Sequence, residues 1–62
     1  MIDVTRMNGQ VMSLNDDLIE TVEETPDTVI SLTTGKKVMV KESRQEIKEL
    51  VIRARREIHI IE

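Results

Sequence analysis

Residues 28–46 read TVISLTTGKKVMVKESRQE, which contains two strand patterns, a turn and a helix start. Thr28 to Thr33 are mostly β-branched, and Lys37 to Lys41 alternate polar with apolar, so both segments predict β-strands. Thr34-Gly35 between them predicts a tight turn. Ser43 and Glu46 then match the capping box, in which the two side chains satisfy amide groups at the start of a helix. The stretch therefore predicts a β-hairpin followed by a helix.

Upstream of this stretch, three further segments have strand character. Ile2 to Arg6 alternate apolar with polar residues, and Asn8-Gly9 predicts a hairpin with a type I′ turn into a second strand, Gln10 to Leu14. Leu18 to Glu24 form the third segment. Its acidic residues would also suit a helix, but its β-branched residues and the following Thr25-Pro26-Asp27 turn favour a strand.

The C-terminal part predicts one helix of about 18 residues, roughly 27 Å long, that starts at Ser43 and ends near Ile60. An apolar stripe with helical spacing is expected to face the core. Its members are Ile47, Leu50, Val51, Ala54, Ile58 and Ile61. We therefore predict an α+β protein: a five-stranded antiparallel β-meander with one C-terminal α-helix packed on one sheet face. It should be a single domain of residues 1–62, with the meander in 1–42 and the helix in 43–61. The sheet residues expected beneath the helix are Ile30, Leu32, Val38 and Val40.

The chain has few means of building a large core, since its 62 residues include no aromatic residue and no cysteine. One helix covers only one face of a sheet, so some apolar side chains should stay uncovered in a monomer. A contiguous uncovered patch is typical of an interface. We expect a homo-oligomer, although scattered surface residues are the alternative. The candidate self-association residues are Met12, Ile19, Val29, Met39, Ile52 and Ile60.

The residues that usually perform catalysis are sparse. His59 is the only histidine, and no nucleophile or second ligand accompanies it in sequence. The six acidic residues between Asp16 and Asp27 lack the order of an EF-hand loop, so they predict solvated sheet edges and turns. Gly9 and Gly35 are isolated turn glycines rather than a phosphate-binding loop. We expect neither an enzyme nor a cofactor or metal site.

One face of the predicted helix is basic and is the candidate surface for docking a partner. It carries Arg44, Lys48, Arg55 and His59. The alternative is a solvated face, with Glu49 and Arg53 as a helix-stabilising pair. The net charge of −3 argues against a nucleic-acid partner. Residues 1–4 begin directly in strand pattern without a signal peptide, and no apolar run reaches the roughly 20 residues that span a bilayer. We expect a cytoplasmic protein that does not cross a membrane.

The chain resembles the FlbD family of small flagellar proteins, which includes the swarming-motility protein SwrD. The resemblance rests on Val4 to Gly9, Leu14 to Glu23, Thr25 to Thr33 and Gly35 to Ser43, which occur in the family's order and spacing. It implies a non-enzymatic flagellar motility accessory protein, recruited to the membrane-embedded motor, that supports motor or stator power through protein–protein contacts. A small RNA-binding post-transcriptional regulator of motility is the alternative. The acidic balance and the lack of stacking aromatic side chains argue against it.

Overall fold

The computed structural model describes the backbone of residues 1–61 and the side chains of residues 1–56. The strands are β1 (Ile2–Thr5), β2 (Val11–Leu14), β3 (Ile19–Glu24), β4 (Thr28–Leu32) and β5 (Lys37–Val40). A 3-10 turn at Asp16–Leu18 precedes β3, and the helix α1 spans Arg44–Ile61. The predicted α+β class, with five antiparallel strands and a C-terminal helix packed on the sheet, is confirmed.

The five strands are divided between two antiparallel sheets. One contains β1 and β2, and the other has the order β3-β4-β5. A single bridge between Arg6 and Val40 joins them, and the Lys41 N–H donates to the Thr5 carbonyl at 2.8 Å beside it. The break after β2 coincides with the 3-10 turn, where the Asn15 side chain accepts a hydrogen bond from the Asp17 N–H at 3.1 Å. As a result β5 lies beside β1, and β3 pairs with β4 only.

The first hairpin turn differs from the type I′ turn expected from Asn8-Gly9. Gly9 has a φ of +93°, but no residue other than glycine has a positive φ in the described chain, so Asn8 is not left-handed. The Gly9 N–H donates to the Arg6 carbonyl at 2.9 Å, and the Arg6 N–H donates to the Gln10 carbonyl at 2.8 Å. This is a three-residue loop, which requires a left-handed residue only at its last position. The β4–β5 turn is also a three-residue loop, and Gly35 is the left-handed residue at its last position.

The core is made of aliphatic side chains from four strands and the helix. Its buried members are Ile2, Val4, Leu14, Ile30, Leu32, Val40 and Ile47. On β4 the buried residues alternate with the half-buried Val29 and Ser31, as expected for a strand with one face on the core. Pairing across β4 and β5 sets Val29 opposite Met39 on the outer face.

The helix contacts β1 of one sheet and β3 of the other. Ile47 of the helix shares the buried core with Ile30, Leu32 and Val40 of β4 and β5, as expected, but the helix also lies against β1 and β3, which the sequence did not predict. Ile47 is buried on the core-facing side of the helix, and three further members of the stripe, Leu50, Val51 and Ala54, pack half-buried against the core as predicted. The other two, Ile58 and Ile61, lie outside the residues whose side chains are described.

The start of α1 has the reciprocal hydrogen bonds of a capping box. The Glu46 N–H donates to Ser43 Oγ at 3.1 Å, and the Ser43 N–H donates to Glu46 Oε1 at 3.0 Å. Ser43→Ala should lower the free energy of unfolding by about 1 kcal/mol, because one helix amide loses its acceptor. Ser43→Asp keeps an acceptor and serves as the control. Chemical denaturation followed by circular dichroism measures both, and equal losses in the two variants would contradict the cap.

Candidate protein-docking groove between β3 and the helix

A groove of about 340 Å³ runs between β3 and α1. It forms because β3 is the outer strand of its sheet and the helix lies alongside it. The lining residues are Asp16, Ile19, Val22, Arg44, Ile47, Lys48, Val51, Ile52 and Arg55. The groove thus combines side chains that are distant in sequence.

Apolar and basic residues are segregated within the groove. Ile19 and Val22 come from β3, and isoleucine and valine side chains of α1 face them. Arg44, Lys48 and Arg55 are all exposed and follow each other at spacings of four and seven residues, which places them on one face of the helix. From Arg44 to Arg55 this basic rim extends roughly 17 Å. An apolar floor beside a basic rim suits a partner that offers apolar side chains flanked by carboxylates.

Asp16 lines the groove and is buried, with 7% of its side chain exposed. Its Oδ1 accepts a hydrogen bond from the Met1 ammonium group at 2.7 Å, and its Oδ2 lies 3.8 Å from Arg55 Nε. The hydrogen bond from that ammonium group, acting against burial, holds the pKa of Asp16 below its usual value; a backbone hydrogen bond and the charge of Arg55 add to the effect. The expectation that this acidic stretch is wholly solvated is wrong at Asp16.

Glu42 ties β1 to the segment that enters the helix. Its Oε1 accepts a hydrogen bond from the Thr5 N–H at 2.8 Å. Burial raises the pKa of Glu42, but the hydrogen bonds from Thr5 outweigh it, so this pKa also lies below its usual value. Both lowered pKa values belong to carboxylates that hold separate elements together.

The pH dependence of folding follows from these two carboxylates. Because Asp16 and Glu42 have lower pKa values in the folded chain than in the unfolded chain, their contribution is complete above the unfolded values, about pH 4. It is lost as the pH falls through the folded values, because the unfolded chain then binds more protons. Urea unfolding between neutral pH and about pH 3 should show falling stability. The double variant Asp16→Asn, Glu42→Gln should lose less unfolding free energy over this pH range than the wild type. An equal loss in both proteins would contradict the stabilising role of these two carboxylates.

The predicted docking residues do lie together as far as the structure describes them. Arg44, Lys48 and Arg55 all line the groove, whereas His59 is outside the described side chains. Neither observation tests whether they bind a partner, so docking stays a prediction.

The predicted self-association residues are distributed over several places. Ile19 and Ile52 line the groove, Val29 and Met39 are neighbours on the outer sheet face, and Met12 packs partly against the core. Ile60 lies outside the described side chains. Self-association through these residues also stays a prediction.

Sequence reasoning missed four contributors to the groove, Asp16, Val22, Ile47 and Val51. The sequence patterns of Val22, Ile47 and Val51 indicate only strand and core residues. Their place in the groove depends on how β3 meets the helix, and no local pattern specifies that. For Asp16 the preceding Asn15 indicates a turn, but burial of the carboxylate comes from the remote Met1 and Arg55.

Within the part of the chain that the structure describes, no group of three or more His, Cys, Asp or Glu side chains could hold a metal ion. Across the same described residues, no helix combines the length and the apolar character needed to cross a membrane.

The profile of one protein family, described as "Flagellar and Swarming motility proteins", matches residues 1–59. The chain belongs to the FlbD family. The match extends well beyond Ser43, where the resemblance ends, and both β3 and most of α1 lie inside it. FlbD membership connects the chain with flagellar and swarming motility. No curated protein and no solved structure gives a significant match.

Proposed function

We propose that this FlbD protein supports the power of the flagellar motor by docking a motor or stator protein in the groove between β3 and α1. Family membership supplies the process, which is motility. The single observation that carries the mode of action is the basic rim, Arg44, Lys48 and Arg55, beside an apolar floor. The protein acts in the cytoplasm and is recruited from there to the membrane-embedded motor.

The physical character of the groove favours a protein partner. Apolar side chains on both walls would bury further area when a partner enters, and hydrophobic burial is the main source of affinity in most protein–protein contacts. Of the rim cations, Lys48 has no carboxylate within 4.0 Å among the described residues. An acidic partner would therefore gain a new ion pair there without breaking an existing one.

The complementary partner segment would carry apolar side chains on one face and acidic side chains next to them. Three turns of an amphipathic helix, about 16 Å, match the length of the basic rim. Such a helix in a groove is a recurrent mode of peptide recognition, with anchors spaced at three, four and seven residues. Charges at the rim would mainly accelerate and orient the encounter, and the apolar floor would hold the complex.

Deleting the gene should reduce swarming and the torque of the motor while flagellar filaments remain. A protein that assists the motor acts after the filament has been assembled, so filament number should not change. Tethered-cell rotation measures torque, filament staining counts flagella, and a restored wild-type gene is the control. Loss of filaments in the deletion strain would refute motor support and indicate a role in export or gene regulation.

A further inference from the structure

A second concave surface lies away from the groove, between the β1–β2 loop and the β4–β5 loop. The two loops are neighbours because the Arg6–Val40 bridge sets the end of β1 beside β5. A cleft of about 480 Å³ separates them. Its lining residues are Arg6, Met7, Asn8, Lys36, Lys37, Val38 and Met39. We call this surface the basic cleft.

The basic cleft carries three positive charges, on Arg6, Lys36 and Lys37, and no carboxylate lines it. In the described side chains, both ion pairs of the chain are made by Asp16, so none of these cations has an acidic partner within 4.0 Å. Met7 and Met39 are each 47% exposed at the same place. The cleft is therefore complementary to a protruding segment that is acidic and partly apolar.

The chain itself carries a segment of this description at the β3–β4 turn. Glu23, Glu24 and Asp27 are exposed there, together with the apolar ring of Pro26. The Glu24 carboxylate is engaged, since its Oε1 accepts the Arg44 N–H at 2.8 Å, but Glu23 and Asp27 make no ion pair among the described residues. We call residues 23–27 the acidic turn.

The acidic turn and the two lysines of the basic cleft lie at opposite ends of β4, whereas Met39, which pairs with Val29, lies nearer the acidic turn. The acidic turn precedes Thr28 and the β4–β5 loop follows Leu32, so the strand separates them by roughly 17 Å. One chain cannot bring its own acidic turn onto Lys36 and Lys37 over that distance without unfolding the sheet. Both surfaces are thus available to other molecules, in equal number and at equal concentration.

We propose that the basic cleft binds the acidic turn of a second copy of this chain. Three cations would meet two free carboxylates and one partly engaged carboxylate, and Pro26 would cover the exposed sulfur-containing side chains of Met7 and Met39. Made reciprocally between two copies, this contact produces a two-fold symmetric pair. Made with successive copies, it produces a closed ring or an open chain. Met39, a residue predicted from sequence to mediate self-association, lies in this interface.

Charge reversal in the full chain tests the proposal by light scattering at tens of micromolar protein and low salt. The wild-type mass should exceed the 7.2 kDa of one chain and fall at high salt, because exposed charges are screened. Lys36→Glu with Lys37→Glu should give a monomer, and so should Glu23→Lys with Asp27→Lys. The variant that combines all four substitutions should associate again, because the signs are exchanged. Asp17→Lys with Glu49→Lys is the matched control for the Glu23 and Asp27 reversal, with the same change in net charge on exposed residues elsewhere, and should keep the wild-type mass.

The possible outcomes distinguish a second copy of the chain from other ligands of the basic cleft. Monomeric wild-type protein, or an oligomer whose mass neither reversal reduces, would overturn the proposal. Failure of the combined variant to associate while it remains folded by circular dichroism would also overturn it, since another acidic partner would then fill the cleft. Monomeric wild-type protein that sediments with vesicles of anionic lipid, and loses this binding on reversal of Lys36 and Lys37, would assign the cleft to a membrane surface instead.

Discussion

Ile47→Ala should lower the free energy of unfolding by about 2–5 kcal/mol, the range for deleting a buried aliphatic side chain. Ile47 is 1% exposed and is the helix residue that enters the core between the two sheets. A chain of this size is expected to have a total stability of roughly 3–9 kcal/mol. The substitution would therefore remove a large share of the total stability. A loss at the upper end of its expected range would leave the chain unfolded.

Ile52→Ala is the matched control, because it makes the same chemical change at an exposed position of the same helix. Ile52 is 43% exposed at the groove, so its truncation should change stability by less than about 1 kcal/mol. Urea denaturation followed by circular dichroism compares the two variants. Equal losses, or a negligible loss for Ile47→Ala, would contradict the packing of α1 against the strands.

Lys48→Glu combined with Ile52→Glu should reduce motility to the level of the deletion strain while the protein stays folded. The first substitution reverses a rim charge, so an acidic partner is repelled. The second places a carboxylate where the partner's apolar side chains would be buried, and an unpaired buried charge is strongly unfavourable. Both residues are exposed in the free chain, so folding should be little affected.

The controls for this variant use the same substitutions outside the groove. Arg53→Glu reverses an exposed charge on the same helix, and Val11→Glu places a carboxylate on a 69% exposed apolar position of β2. Together they should leave motility near the wild-type level. Swarm expansion and tethered-cell rotation are the readouts, with protein abundance checked by immunoblot. Motility that is unaffected by the groove variant, or equally reduced by the control, would contradict the groove as the docking site.

Local features of the fold could be predicted from sequence, because neighbouring residues determine them. Strand alternation and the Ser43–Glu46 cap depend on residues within a few positions of each other, and the structure contains both. The turn at Asn8-Gly9 was placed correctly, but its type was wrong. The structure has a three-residue loop between Arg6 and Gln10 where a two-residue type I′ turn was expected. Sequence patterns specify where the chain turns more securely than how it turns.

Non-local features could not be predicted in this way. The Arg6–Val40 bridge and the ion pair between Met1 and Asp16 join positions 34 and 15 residues apart, and no periodic pattern reports such a pairing. The same limit applied to the candidate site. Helical spacing grouped Arg44, Lys48 and Arg55 correctly on one face, but only the packing of α1 beside β3 sets that face next to an apolar floor.

Site-specific photo-crosslinking in motile cells tests the docking of a motor protein in the groove most directly. A photoreactive amino acid at position 48 should form a covalent adduct with a flagellar motor or stator protein, identified by mass spectrometry. The same probe at the exposed position 49 should form none. Adding Ile52→Glu should abolish the adduct at position 48. Adducts only with RNA or with a second copy of the chain, or equal adducts from positions 48 and 49, would contradict the proposed function.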